Sequence, residues 1–248
     1  MTLKMQIMKP RLLLLVVLAA LFLNSSFQDS DKLNSDLLTG AWQLKNGTEE
    51  QTLLFVDGYF TQTIYDKTER KFVHTRGGSY TVDKNKLTVE YEFDTKDKEQ
   101  VGQKTTYNIA AKDKQLIANI NNKEEQWAKT DDANSGLAGL WKITARKQGK
   151  ELQTIHQTGT RKTVKILTST RFQWAAIDPG TKSFMGTGGG TYTFKDGKYT
   201  EHIEFFSRDS SRVGSSLSFE GKLENGDWHH SGLSSRGEPI YEVWSRNK

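Results

Sequence analysis

The chain has 248 residues, no cysteine and a formal net charge of +5. The lack of cysteine excludes thiol catalysis and cysteine-bound zinc. It also excludes disulfides, so the fold must be stabilised by burial alone, in one or two domains. Residues 1–26 carry three basic and no acidic groups, which leaves only +2 on the rest of the chain. A charge this small does not indicate nucleic-acid binding, and we expect no nucleic-acid partner.

The N-terminal segment has the pattern of a secretory signal. Lys4, Lys9 and Arg11 precede an apolar run of twelve residues, Leu12 to Leu23, and small polar residues follow it. A membrane-spanning helix needs about 20 apolar residues. We therefore expect a cleaved signal peptide at residues 1–26 and no stable membrane span afterwards. No cysteine is present for lipid attachment, so the mature protein is expected to be secreted, periplasmic or extracellular.

The rest of the chain contains an internal repeat. Residues 53–94 align without a gap on residues 165–206, with twelve identities, and Gly40-Ala-Trp42 corresponds to Gly139-Leu-Trp141. Glu125-Gln-Trp127-Ala-Lys129 likewise corresponds to Glu242-Val-Trp244-Ser-Arg246. The polar residues 131–136 have the composition of a linker. This predicts one domain at 38–130, a linker at 131–136 and a second domain at 137–248.

Each copy is expected to be entirely β. Short runs rich in Val, Ile, Thr, Tyr and Phe alternate with polar residues between turn signals. Asp57-Gly58 and Asp196-Gly197 have the sequence of two-residue hairpin turns. The glycines of Thr187-Gly-Gly-Gly190 lead into a strand and lack the following helix that a phosphate-binding loop requires. Gly189 and Gly190, like Gly77 and Gly78, are instead expected to permit a β-bulge or sharp bend that curls the sheet.

The ends of both copies resemble the lipocalin-like (calycin) barrels. In that family a Gly-x-Trp motif opens the first strand, and a basic residue from the last strand packs over the indole. The resemblance implies two such pairs, Trp42 with Lys129 and Trp141 with Arg246, each a cation–π contact worth about 0.5–2 kcal/mol.

The second copy is similar over nearly its whole length to a lipocalin-like domain family of unknown function, common in secreted bacterial proteins. The matching pieces are Gly139-Leu-Trp141, Thr170-Arg-Phe-Gln-Trp174, Gly189-Gly-Thr-Tyr192, Tyr199-Thr-Glu-His-Ile-Glu-Phe205, Gly226-Asp-Trp228 and Glu242-Val-Trp244-Ser-Arg246. The first copy has Gln62 where Trp174 stands. The predicted fold is all-β, with two tandem small antiparallel lipocalin-like β-barrels after the signal peptide.

The candidate site follows from strand alternation, since every second residue of a barrel strand points inward. Tyr199, Glu201, Ile203 and Phe205 align with an apolar set in the first copy, so this face is expected to point inward. Glu201 replaces Val89 there, and a buried carboxylate needs a donor or a shifted pKa. We expect Glu201 to anchor a ligand hydroxyl, amine or amide. The expected apolar walls are Phe172, Trp174, Tyr192, Ile203 and Trp228. Alternatively, Glu201 lies in water at the barrel mouth or pairs with an arginine.

Other chemistry finds little support in the sequence. His202 and Glu204 lie on the opposite face and are expected to be exposed to solvent. His229 and His230 are adjacent in a strand and point to opposite faces, so they cannot bind one ion together. We expect no metal site, no cofactor and no catalytic residue. Compared with the first copy, the second has an insertion spanning Arg146 to Arg161 and including His156, which is expected either to form a lid over the mouth or to be a tolerated surface loop.

Three functions remain open at this point. The preferred one is binding of a small, partly apolar molecule in the second barrel, with the first barrel in a structural or docking role. The second is a non-catalytic interaction module with filled barrels and a protein partner. The third is a hydrolase or isomerase that uses Glu201 together with a histidine. A Glu201–Glu242 carboxylate pair would also be available if both side chains point inward.

Overall fold

The computed structural model describes residues 35–155, 159–234 and 236–246. The predicted signal peptide lies outside the described residues. The described part is almost entirely β-sheet and contains two closed eight-stranded antiparallel barrels in tandem, which confirms the predicted fold class.

The first barrel follows a one-turn helix, α1 (Ser35–Leu38). Its eight strands pair with their neighbours in chain order, and the first pairs with the last to close the sheet. The strands are β1 (Gly40–Asn46), β2 (Glu49–Val56), β3 (Tyr59–Asp66), β4 (Lys71–Asp83), β5 (Lys86–Asp94), β6 (Lys104–Lys112), β7 (Gln115–Ala118) and β8 (Glu125–Asp131). A 3-10 helix, Lys98–Gln100, connects β5 and β6.

The second barrel repeats this order with one change. Strand β9 pairs along one edge with β17, and along the other with β11 near its start and β10 near its end. Strands β10 and β11 thus pair with different parts of β9, whereas in the first barrel β2 alone pairs with the whole of β1. The strands are β9 (Gly139–Gln148), β10 (Glu151–Thr154), β11 (Lys162–Leu167), β12 (Arg171–Asp178), β13 (Ser183–Lys195), β14 (Lys198–Phe206), β15 (Ser216–Glu224), β16 (Asp227–Leu233) and β17 (Pro239–Arg246). Two further 3-10 helices are Pro179–Thr181 and Ser210–Arg212.

The turns and bends lie where the sequence predicts them. Asp57 and Gly58 have φ of 50° and 69°, and Asp196 and Gly197 have φ of 51° and 76°, the positive values that tight hairpin turns require. The sheet register shifts between Gly77 and Gly78 and again between Gly189 and Gly190. The predicted hairpin turns and glycine bulges are therefore confirmed.

Each barrel is closed at one end by the predicted indole–cation pair. The Lys129 ammonium lies 5.3 Å from the Trp42 ring centroid, and the Arg246 guanidinium lies 4.5 Å from that of Trp141. The indole nitrogens of Trp42 and Trp141 donate equivalent 2.8 Å hydrogen bonds to the carbonyls of Leu38 and Leu137. The contacts join the first strand to the last in both copies. We call this end of each barrel the closed end and the opposite end the mouth.

The two barrels pack against each other through equivalent faces. Strand β3 contacts β14, and its counterpart β12 contacts β5, so the interface has an approximate two-fold character. Its apolar centre comprises Ala41, Leu54, Val56, Tyr59, Phe93, Leu140, Val164, Ile166, Ala175 and Ile177. This interface is why several outward-facing residues of both sheets are buried.

Two predictions about β14 are wrong, one because of this interface and the other because of the β-bulge. Glu204 is not exposed to solvent; it accepts hydrogen bonds of 2.8 Å from Arg171 and from Tyr65 of the first barrel. Phe205 does not point into the barrel, because the bulge places an extra residue opposite the glycines and reverses the alternation. It packs on Tyr65, with ring centroids 4.9 Å apart. His202 is exposed, as predicted.

Candidate functional site

The six predicted site residues all lie in the second barrel, on the four strands β12, β13, β14 and β16. Five are buried and Trp174 is half-buried. The five apolar residues belong to one hydrophobic cluster, whose further aromatic members include Trp141, Tyr199, Phe219 and Trp244. The buried five are Phe172, Tyr192, Glu201, Ile203 and Trp228. The Tyr192 hydroxyl is occupied by a 2.6 Å hydrogen bond to the Thr168 carbonyl, so this residue supplies only an apolar wall.

Glu201 points inward and is 5% exposed, with a buried lysine as its partner. The Lys165 ammonium of β11 donates a 2.8 Å hydrogen bond to Glu201 Oε1, and Lys165 is itself 4% exposed. The Tyr199 hydroxyl also donates to Glu201 Oε1, at 3.0 Å. Burial raises the pKa of Tyr199 well above its usual value, so its hydroxyl keeps the proton that it donates. The partner of Glu201 is therefore a lysine and not the arginine that the sequence analysis considered.

Aromatic rings surround the Lys165 ammonium. It lies 5.1 Å from the ring centroid of Trp244, 5.2 Å from Trp228, 5.4 Å from Tyr199 and 5.8 Å from Phe172. Each ring face attracts the cation, which offsets part of the cost of removing it from water. The interior therefore holds an ion pair inside an aromatic cage, a costly arrangement for a small barrel.

A second charged group, Glu242 of β17, lies beside this pair. Burial alone would raise the pKa of Glu242, but nearby His230, Lys165 and Arg146 outweigh it and lower the pKa to about 2. Arg146 donates a 2.8 Å hydrogen bond to Glu242 Oε1, and the Trp244 indole donates one of 3.2 Å to Oε2. Glu242 is therefore a carboxylate at neutral pH. Its position confirms that both Glu201 and Glu242 point into the barrel.

His230 lies between the acidic groups and is 2% exposed. Its Nδ1 is 3.7 Å from Glu242 Oε2, too far for a hydrogen bond. Burial, with the charge of Lys165, lowers the pKa of His230 despite the two nearby carboxylates, so the ring is neutral at neutral pH. Its neighbour His229 faces the other way and contacts the Tyr241 hydroxyl at 2.9 Å, which confirms the predicted opposite orientations.

Three buried nitrogens of the interior have no hydrogen-bond partner among the described residues. They are Nδ1 and Nε2 of His230 and Nε1 of Trp228. A buried polar atom without a partner costs roughly 1–3 kcal/mol, so native structures rarely leave one unless water or a ligand meets it. A neutral imidazole offers one donor and one acceptor, and the indole adds a donor. Together they form a polar patch within an otherwise aromatic wall.

The first barrel provides an internal comparison. At the positions equivalent to Lys165 and Glu201 it has Leu53 and Val89, both buried in its core. The remaining polar and aromatic positions, Tyr199, Trp228 and His230, correspond to Leu87, Leu116 and Ala118, which are also buried there. Leucine, valine and alanine thus fill these positions in the first barrel, although its Glu125, the counterpart of Glu242, is also buried. The Lys165–Glu201 pair and His230 are therefore not a requirement of the fold.

The mouth of the second barrel is bordered by aromatic residues. Trp174 and Phe206 pack edge to face, with ring centroids 5.6 Å apart. A Cβ at Gly188 would lie 2.8 Å from the Trp174 indole nitrogen, so glycine leaves room for the ring. Phe206 also lines a surface cleft of about 600 Å³ between residues 206–210 and the β3–β4 turn at residues 69–72 of the first barrel. Phe206 is the residue that this cleft shares with the aromatic border.

The predicted lid region is described in part. Strand β9 continues to Gln148 and turns directly into β10, a four-residue strand at the mouth end of the barrel. Leu152 of β10 is 54% exposed. His156 lies outside the described residues. The described part of the insertion thus adds a β9–β10 hairpin at the mouth, whereas in the first barrel β1 is followed by the full-length β2.

Metal chemistry finds no further basis in this geometry. Among residues 35–155, 159–234 and 236–246, no group of three or more histidines and acidic residues is arranged to hold a metal ion. In the same part of the chain, no helix is long and apolar enough to cross a membrane. Lys165 and Tyr199 both donate to Oε1 of Glu201, and the ring nitrogens of the buried His230 have no hydrogen-bond partner among the described residues, so the structure does not show the Glu201–histidine pairing of the hydrolase or isomerase hypothesis.

Sequence reasoning missed Lys165 and His230. Lysines alternate with acids along the chain and suggest a solvated surface, so a single inward lysine has no obvious signature. The signal lay in the repeat alignment, where Lys165 stands over Leu53 and His230 over Ala118. Both substitutions place a polar group on a face that is apolar in the first copy.

Fold and interior together define the class: a tandem of two closed eight-stranded antiparallel barrels, one with an apolar core and the other with a buried charged cluster. Residues 136–248, which contain the second barrel, match a family described as Domain of unknown function (DUF4488). No curated protein matches the chain.

Proposed function

We propose that the protein is exported and that its second barrel binds a small, partly apolar molecule. The observation that carries this proposal is the contrast between the two barrels. One sheet design closes around leucine, valine and alanine in the first barrel and around Lys165, Glu201 and His230 in the second. Since the charges are not needed to fold the barrel and are costly to bury, a function is the best explanation for them.

The interior favours a ligand without net charge. Lys165 is neutralised by Glu201 and Arg146 by Glu242, and His230 is neutral. A charged ligand would leave an unbalanced charge in a poorly solvated site. The free polar atoms are the ring nitrogens of His230 and the Trp228 indole. A hydroxyl or amide group on a flat or apolar body would satisfy them.

The shape of the second barrel supports access from one end. The closed end is sealed by Arg246 over Trp141. The mouth carries the half-buried Trp174 and Phe206 and the β9–β10 hairpin. Ligand pockets commonly combine apolar walls with a few fixed polar groups. In this proposal Phe172, Tyr192 and Ile203 form the apolar walls, while Trp174 stands at the mouth.

The proposal of export rests on residues 1–26, whose charged, apolar and small-residue order is that of a signal peptide. The resemblance of the second copy to lipocalin-like domains of secreted proteins is in accord with it. Fractionating the native host and detecting the protein with an antibody tests this part separately. Retention of the full-length chain in the cytoplasm would contradict export.

Native mass spectrometry tests the binding proposal. The wild-type protein, purified from its own host, should show a mass excess that disappears on denaturation. The double variant Lys165→Leu/Glu201→Val, which installs the residues of the first barrel, should lose it. The matched control is Lys222→Leu/Glu224→Val, which removes an exposed 2.7 Å ion pair from the same barrel and should keep it. Equal masses in all three proteins under native and denaturing conditions would contradict ligand binding.

The dense aromatic packing of the second barrel favours one other function, an interaction module with filled barrels. The ring centroids of Phe219 and His230 are 4.1 Å apart, and those of Tyr199 and Trp228 are 4.9 Å apart. Small barrels are often filled by their own side chains. This function predicts no bound molecule and a protein partner whose binding is unaffected by the interior double variant.

A further inference from the structure

The mouth of the first barrel contains a polar cluster that the second barrel lacks. Arg76 of β4 stands beside Gln62 of β3, and their counterparts are Gly188 and Trp174. Where the second barrel has an indole over a glycine, the first has a guanidinium beside an amide. The two mouths therefore present different chemistry although the sheets are equivalent.

Neutral acceptors hold Arg76 in place. Its Nε donates a 2.8 Å hydrogen bond to Gln62 Oε1, and its Nη2 donates to the Ile120 carbonyl at 2.9 Å and to Asn121 Oδ1 at 3.3 Å. Gln62 is fully buried and is itself bonded to Asn121 at 3.2 Å. The orientation of the guanidinium is thus fixed by amides and a carbonyl, which leave its charge unneutralised.

Tyrosine rings support one side of the same guanidinium. Its central carbon lies 5.4 Å from the ring centroid of Tyr91 and 5.9 Å from that of Tyr107. The two hydroxyls are 2.6 Å apart and bond to each other. Arg76 is half-buried, so the group is rigidly packed yet partly in contact with solvent.

The charge of Arg76 is not neutralised by an ion pair with any described residue. Within the described ranges 35–155, 159–234 and 236–246, no carboxylate forms an ion pair with Arg76, and its Nη1 amino group has no hydrogen-bond partner. The acid tied to the cluster, Glu125, accepts a 2.7 Å hydrogen bond from Asn121 and lies 3.3 Å from the Lys123 ammonium. Asp94, which lies opposite Arg76 in the β4–β5 register, is itself bonded to His74 at 2.9 Å. A preorganised guanidinium with one free amino group can donate a charge-assisted hydrogen bond to a carboxylate.

We infer that the mouth of the first barrel is a second binding site, and that it takes the carboxylate group of a small organic acid on Arg76. The free Nη1 amino group donates to the carboxylate, while Tyr91 and Tyr107 hold the guanidinium plane. The first barrel then has a binding role of its own, separate from the interior of the second. It recognises an anion, whereas the second barrel suits a ligand without net charge.

Fluorine NMR with the full mature chain tests this inference. The probes are trifluoroacetate and 4-fluorobenzoate, two carboxylates of different size, and their uncharged amides, trifluoroacetamide and 4-fluorobenzamide. At least one carboxylate should show line broadening that saturates with protein concentration, and its amide should not. Arg76→Gln should weaken that binding by at least about tenfold, since it removes a charge-assisted hydrogen bond.

Two further variants make the result specific. Arg76→Lys keeps the charge but loses the planar fork, so it should retain weaker binding than the wild type. Arg236→Gln removes an exposed arginine from the turn between β16 and β17 of the second barrel and should bind like the wild type. Circular dichroism and the unfolding midpoint identify any variant that fails to fold; if Arg76→Gln does, Arg76→Lys decides. The inference is overturned if neither carboxylate binds the wild type, if the amides bind equally well, or if the folded Arg76 variants bind like the wild type.

Discussion

The buried ion pair of the second barrel makes a sharp prediction about stability. Lys165→Leu leaves Glu201 as a buried carboxylate without its cation, and Glu201→Val leaves the ammonium without its anion. Breaking a buried pair in this way typically costs about 3–5 kcal/mol. The two single losses would add to about 6–10 kcal/mol if the residues acted independently. The double variant, however, reproduces Leu53 and Val89 of the first barrel.

Replacing a whole buried ion pair by apolar residues is often neutral, or stabilising by about 1–4 kcal/mol. We therefore expect the free energy of unfolding of Lys165→Leu/Glu201→Val to equal that of the wild type or to exceed it by up to about 2 kcal/mol. The double variant should be clearly more stable than either single variant. Urea unfolding followed by tryptophan fluorescence gives the four free energies of the cycle. The exposed pair Lys222–Glu224 serves as the control, with a coupling energy below about 1 kcal/mol.

A double variant as unstable as the sum of its single variants would refute this reasoning. It would mean that the pair supports the fold of the second barrel and that the first barrel is not a valid comparison. The claim that the charges are present for a function would then lose its basis.

Three other predictions concern the fold and its pH dependence. Gly190→Ala should cost about 2–4 kcal/mol in urea unfolding, because φ is +155° and a Cβ would collide with the His202 carbonyl oxygen. Glu242, whose pKa is lowered to about 2 from 4.5, should contribute about 3 kcal/mol that is present above pH 4.5 and lost as the pH falls toward 2, so Glu242→Gln should flatten the acid limb of the stability curve. Arg246→Gln should lower stability by about 1–2 kcal/mol, through loss of the indole contact and of the 2.8 Å hydrogen bond to the Ala138 carbonyl.

Each of these has a matched comparison. Gly214→Ala also introduces a side chain at positive φ, +90°, but into open space, so it should cost about 1 kcal/mol; an equal loss at both glycines would argue against the bulge collision. An unchanged acid limb in Glu242→Gln would contradict the lowered pKa. Lys129→Gln should cost less than Arg246→Gln, because its cation lies farther from the indole, at 5.3 Å; the reverse order would contradict the contact.

Local signals predicted most of the fold. Asp-Gly pairs specify hairpin turns through their positive φ, and the paired glycines mark the bulges, so both followed from residue chemistry. The repeat indicated that both copies have the same all-β fold. The orientation of Phe205 was missed because the bulge reverses the alternation after Ile203, and a strict period of two does not include that extra residue.

The burial of Glu204 could not be predicted from one copy. Its partner Tyr65 belongs to the other barrel, and the contact forms only when two equivalent faces meet. The inward position of Glu201 and of the apolar residues around it was predicted, because it follows from alternation along each strand. Lys165, the partner of Glu201, comes from β11, three strands before β14 in the order of the chain, and only the comparison with Leu53 identifies it.

The indole N–H signals of the six tryptophans provide the most direct test of binding inside the second barrel. Trp42 and Trp127 lie in the first barrel and the other four in the second, so the protein contains its own control. Titrating the uniformly ¹⁵N-labelled protein with the small-molecule extract of its host should shift the indole signals of Trp228 and Trp174 and leave Trp42 unchanged. An extract that shifts none of the six, or that shifts Trp42 as much as Trp228, would contradict a ligand site in the interior of the second barrel.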